Sequence, residues 1–161
     1  MKAILFAGGW EGHSPIAFSN WCKELLEKNE FEVEVYETLA PLENPEKLED
    51  VELIVPIWSS ARSSHQAEFG NMNKLQEDGL IKLIANGCGL AGWHGHMGDA
   101  FRDRPTYHFL IGGQFVAHPP GWPDNQDPTA DFVHYDVTIC KPDDPITYGI
   151  KSFKICSEQY Y

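Results

Sequence analysis

Two apolar runs constrain the architecture more than anything else in the chain. "KAILFAGG", residues 2 to 9, and "LIVPIW", residues 53 to 58 of the "VELIVPIW" segment, lack the in-out alternation of a strand with one wet face. Side chains can be apolar on both sides of a strand only where both faces of its sheet are covered, the usual condition of a parallel sheet carrying helices. Gly8 and Gly9 then let the backbone turn sharply out of the first run, and Trp58 stands at the end of the second.

The segments between and after these runs supply the covering layers. From Ser14 the period changes: Phe18, Trp21, Cys22, Leu25 and Leu26 recur at helical spacing behind a Ser14-Pro15 start signal, so an amphipathic helix with these residues packed on the sheet is expected. "FEVEVYE" sets Phe31, Val33 and Val35 against Glu32 and Glu34, the pattern of a strand at or near a sheet edge. "SSARSSHQAEFGNMN" reads as a loop, and Leu80, Leu83 and Ile84 mark a short helix stopped at Gly87. "CGLAGWH" is expected to be another buried strand, with Trp93 inside it as a core residue. "TYHFLIGGQFVAHPPGW" reads as a helix broken at Gly112-Gly113 and followed by a Pro-rich loop; "HYDVTIC" and "SFKICSEQYY" read as late strands. Strand, helix, strand, strand, helix, strand is the order of an open, mostly parallel α/β sheet covered on both faces. One domain over residues 1–161 accommodates all of it.

Charge and cysteine use narrow the function. Twenty-four acidic against 12 basic residues give a formal charge of −12, which opposes nucleic acid and anionic lipid as partners. No run approaches the roughly 20 apolar residues of a membrane span, and the N-terminal run is too short for a secretory signal, so a cytoplasmic protein is expected. Cys22, Cys88, Cys140 and Cys156 lie far apart with no CxxC pair and read as free, mostly buried thiols. Neither GxGxxG nor GxxxxGK[ST] follows the first strand, which disfavours a nucleotide held by its phosphates.

In such sheets ligands gather at the carboxyl ends of the strands. Those ends carry Gly8-Gly9-Trp10 with His13, then Trp58, then His94 and His96. Gly92-Trp93-His94-Gly95-His96 resembles the strand-to-helix elbow that lifts a nucleophile into a cleft, but imidazole stands where a glutamine amidotransferase carries cysteine or serine. Cys88 sits at the wrong end of the strand to replace it. An imidazole there can exchange protons, hydrogen-bond a hydroxyl or cap the following helix. His-x-His is also a metal spacing, which His13 or His118 could complete with Asp99 or Glu158; a divalent metal is thus a competing expectation to no cofactor at all. Trp58 is expected beside a sugar ring, with Trp10 and Trp122 as further aromatic candidates, while Tyr107 and His108 read as packing residues.

"GLAGWHGHMGDAFR", "FLIGGQFVAHPPG", "DDPITYGIKSF" and "SEQYY", in that order, resemble the ThuA-like (trehalose-utilisation) family of the class I glutamine amidotransferase-like superfamily. The resemblance runs from "ILFAGGWEGH" to the last tyrosine. It implies a flavodoxin-like three-layer α/β/α sandwich and a superfamily cysteine replaced by histidine. It also implies a role in breaking down trehalose and related disaccharides, including 3-keto sugars, beside a nicotinamide-dependent sugar dehydrogenase as partner. Carried over by position, His13, His94 and Glu158 are the implied catalytic residues, with His118 and Tyr160 joining Trp58 and His96 around the substrate. His96 departs from the small residue usual in the family. The family pattern continues past "SEQYY" through another strand and helix, so a sheet edge left unpaired and a homo-oligomer are expected.

Overall fold

The computed structural model describes residues 1–59, 71–116 and 132–160. The expected loop at 60–70, the Pro-rich loop with His118 and Trp122, and Tyr161 lie outside the described residues. The chain divides into two compact units, Met1–Gln114 and Phe115–Tyr161.

The first unit is built on a four-stranded parallel sheet. Strands β1 (Lys2–Gly9), β2 (Glu32–Tyr36), β3 (Leu53–Ser59) and β4 (Gly89–Leu90) lie in the order β2-β1-β3-β4. Helices α1 (Pro15–Glu27), α2 (Lys74–Ala85), α3 (His94–Met97) and α4 (Pro105–Ile111) accompany them. The two apolar runs are the central pair, in register from Ala3 opposite Leu53 to Gly9 opposite Ser59. Their alternate residues feed two cores. Ile4, Phe6, Ile54 and Trp58 join Leu80, Leu83, Phe101 and Tyr107 in one cluster, whereas Ala3, Leu5, Val55 and Ile57 join Cys22 and Val33 in the other. Ile4, Leu5 and Phe6 are at most 1% exposed, each worth about 1.5–3 kcal/mol of hydrophobic transfer. This is the flavodoxin-like α/β arrangement, and it explains why neither run alternates.

Four expectations need correction. First, of the five residues expected on the sheet, Cys22 lies in its second core and Leu26 packs against it, whereas Phe18, Trp21 and Leu25 are left 42, 53 and 45% exposed, with Pro15 and Ser19 buried instead. The bulky row one step round is turned outward. Second, the strand expected over 88–94 pairs only at Gly89–Leu90, at the edge of the described sheet, with Gly89 exposed; Trp93 lies outside it and caps α3 in extended conformation, though it does pack half-buried against the second core as expected of a core residue. Third, Trp58 is not a surface platform: it is 5% exposed, its ring stacked 6.4 Å from Phe101 with Gly8 against it. Fourth, α2 starts well before the expected short helix, because Asn73 and Gln76 form a reciprocal capping box. It does stop before Gly87, whose φ is +104°.

The second unit contains β5 (Val133–Val137) and β6 (Phe153–Ser157), paired antiparallel as a separate two-stranded ladder. Of the four cysteines, Cys22 and Cys88 are buried and Cys140 and Cys156 exposed, so thiols are less generally buried than expected. No helix among the described residues is long and apolar enough to cross a membrane.

Candidate functional site

The carboxyl end of β1 places the first histidine. Gly9 takes φ +83°, and the Trp10 amide donates to the Ser59 carbonyl at 2.8 Å, after which one 3-10 turn, Glu11–His13, presents the imidazole. The second group comes from the turn after β4. Trp93 is extended at φ −151°, ψ 156°, and His94 flips to φ +45° as α3 begins. A β-carbon is strained in that region, and such outliers persist only where the surroundings hold them. The elbow inferred from "GWHGH" is therefore present in the backbone. Its short helix is anchored from α4, where the Tyr107 hydroxyl donates to the Met97 carbonyl at 3.0 Å.

Three of the predicted residues come together here. The His13 ring lies 5.9 Å from that of His94 and 5.8 Å from that of His96. Gly95 makes this approach available, since a β-carbon there would stand 2.3 Å from His13 Cε1. His94 is exposed, whereas His96 is 3% exposed under Phe18 at 5.1 Å and Trp93 at 5.5 Å. Its Nδ1 has no hydrogen-bond partner among the described residues. Burial above all, then the neighbouring His13 and His94, lowers the His96 pKa to about 4, so this ring is neutral at physiological pH. The cluster thus pairs one imidazole open to solvent with a second beside it, over a third that stays uncharged.

A trehalose-utilisation (ThuA) family model matches residues 2–161. The chain belongs to the ThuA family. Its fold is similar to the crystal structure of a ThuA-like protein from Bacteroides uniformis ATCC 8492, with TM-score 0.70 and 19% identity over 99% of this chain and 60% of that one. The chain thus spans about 60% of the length of that solved relative. No curated protein matches it.

Placed on this ThuA chain, the remaining expected residues separate. Trp58 lies in the core. Glu158 and Tyr160 belong to the second unit, where the Tyr135 hydroxyl donates to the Glu158 carbonyl at 3.0 Å and Tyr160 packs 4.6 Å from Phe115. His118 lies outside the described residues. Asp99 is buried in an ion pair with Arg102, and among the described residues no group of three His, Cys, Asp or Glu side chains is arranged to hold a metal ion. His108 is buried with Nε2 3.1 Å from the Phe101 carbonyl, a packing role as read. Cys88 immediately precedes β4 among Leu48, Val51 and Leu83, at the strand end away from the elbow, and burial raises its pKa. Sequence reasoning missed Phe18 and Trp21, which meet Trp93 and His96 at the elbow; their three-residue spacing was visible, but not which way that row faced.

Proposed function

We propose that the protein processes an uncharged disaccharide of the trehalose type, or its 3-keto form, with His94 as the acid–base group and His13 as its partner. The observation that carries this is the strained elbow, which holds an exposed imidazole where superfamily relatives hold a nucleophile, within 5.9 Å of a second imidazole. A sugar offers hydroxyls to donate and accept and no charge to neutralise, which suits imidazole partners in a protein of net charge −12. His96 contributes an uncharged wall rather than a proton. Glu158, Tyr160 and His118 rest on the resemblance alone, so the proposal stands on residues of the first unit. A nicotinamide-dependent dehydrogenase that oxidises the sugar ring is the partner reaction this reading calls for.

The test is turnover of trehalose and 3-keto-trehalose by wild-type protein and His94→Ala. The variant should unfold like wild type and lose roughly 100-fold or more in kcat, the usual contribution of a positioned acid–base group. Wild-type turnover by a folded His94→Ala protein would overturn the assignment. Glutamine should release no ammonia, because the elbow has no thiol or hydroxyl. The replaced nucleophile also favours a second reading, a non-catalytic sugar-binding protein; trehalose binding without turnover of either sugar would select it.

A further inference from the structure

Two neighbouring side chains of α4 reach back to the chain that follows the elbow. The Tyr107 hydroxyl donates to the Met97 carbonyl at 3.0 Å, and His108 Nε2 stands 3.1 Å from the Phe101 carbonyl, which can only accept, so that nitrogen carries the proton. Neither carbonyl needs these donors for its own sake: Met97 already accepts the Ala100 amide at 3.4 Å and Phe101 the Arg104 amide at 2.8 Å. The segment so held begins and ends in strain, with His94 at φ +45° and Phe101 at φ +49°. Its α3 turn has only four residues, too few to be stable alone. Phe101 is buried, its ring against Trp58 at 6.4 Å and Tyr107 at 5.0 Å, so the far end of the segment is seated in the core.

We propose that Tyr107 is the positioning residue for His94, fixing through the Met97 carbonyl where the exposed imidazole stands, with His108 holding the next carbonyl downstream. This deepens the reading given above and rests on it for the part His94 plays in turnover. Packing alone asks only for the Tyr107 ring, which is buried and edge-on to Phe101 at 88°. A hydroxyl aimed at the last residue of α3 does more, because Met97 lies one turn from His94, whose own carbonyl accepts the Gly98 amide at 2.8 Å. A left-handed residue other than glycine persists only while its surroundings hold it. Slackening at Met97 is therefore relieved at His94, the strained and exposed end of the same turn. His96 is held independently, by burial under Phe18 and Trp93, so the clamp acts chiefly on the ring that burial does not hold.

The test reads the imidazoles directly, by proton–carbon correlation spectra of the full chain as wild type, Tyr107→Phe and Leu83→Ala, with urea unfolding and turnover of trehalose and 3-keto-trehalose alongside. Tyr107→Phe keeps the ring and removes the hydroxyl. It should shift the His94 signals and leave those of His134, exposed in the second unit, in place. It should also lower kcat roughly tenfold or more with KM near wild type, as a misplaced acid–base group does. Leu83→Ala opens a core cavity at the strand ends away from the elbow and should cost at least as much stability without moving His94. A second pair of variants acts on the same clamp: His108→Gln can still donate to the Phe101 carbonyl and should keep the His94 signals, whereas His108→Leu cannot and should shift them. Unmoved His94 signals in folded Tyr107→Phe overturn the proposal, as do equal signals in the two His108 variants. An equal shift in Leu83→Ala also overturns it, since the hydroxyl would then act through general stability. The two readings fail separately. Shifted signals in Tyr107→Phe with normal turnover in His94→Ala remove the acid–base assignment alone, whereas lost turnover in His94→Ala with unmoved signals and normal turnover in Tyr107→Phe removes the positioning alone.

Discussion

His96 should make the first unit acid-sensitive well above the carboxylate range. The unfolded chain takes up a proton on this residue at its ordinary pKa of 6.5, the folded chain only near 4. Protons therefore favour the unfolded state: the contribution is fully present above pH 6.5 and is lost as pH falls from 6.5 towards 4. Each pH unit in that window removes about 1.4 kcal/mol. Between pH 7 and pH 5 the loss comes to about 2 kcal/mol. With the side chain only 3% exposed, little of this is screened by solvent. The perturbation is His96→Gln, which keeps a polar side chain and removes the titration. Urea unfolding at pH 7, 6 and 5, followed by tryptophan fluorescence in a Trp122→Phe background, reads the first unit, because the other four tryptophans, Trp10, Trp21, Trp58 and Trp93, all lie there. Wild type should lose about 2 kcal/mol more than the variant over that range. Parallel pH profiles would refute the claim that His96 is buried neutral.

Further outcomes follow from the same geometry. Gly95→Ala would place a β-carbon 2.3 Å from His13 Cε1; because the obstacle is a side chain that can swing away, urea unfolding should show a loss of about 1 kcal/mol, with sugar turnover reduced at least tenfold. Wild-type turnover in that variant would exclude His13 from the reaction. Gly9→Ala combines φ +83° with a β-carbon 2.0 Å from the Ser59 carbonyl oxygen, and should cost about 3 kcal/mol in urea unfolding as backbone strain and overpacking add. A thiol reagent should label Cys140 and Cys156 in the folded protein, and Cys22 and Cys88 only in denaturant, since burial both shields those two and raises their pKa.

The central sheet was legible because burial on both faces leaves a direct mark: residues 2–9 and 53–58 have no polar phase to lose. The elbow was legible because glycines flanking a Trp-His step permit the sharp turn and close approach that such an elbow requires. What stayed hidden depends on which of two adjacent rows a helix turns inward. Phe18, Trp21 and Leu25 have the larger hydrophobic surface, yet it is Cys22 and Leu26 that pack on the cluster of Ala3, Leu5, Val55 and Ile57, with Pro15 and Ser19 also buried. Trp58 was equally ambiguous: its place at a strand end is a sequence fact, but its burial depends on Phe101, more than forty residues on. The seating of His13 on Gly95 likewise joins the turn after β1 to the short helix α3, and no local pattern carries that pairing.

The close meeting of Gly9, Trp10 and Ser59 has a consequence for how such chains can diverge. The amide of Trp10 is fastened to the far end of the neighbouring strand, so the turn to His13 starts from a fixed point and has only three residues in which to deliver its ring. The exposed side chain of Glu11 can therefore change identity without moving the imidazole. Adding or deleting one residue between Trp10 and His13 would leave every strand pair intact yet rotate the ring away from the elbow. Here the length of the turn, rather than its composition, is the constrained quantity.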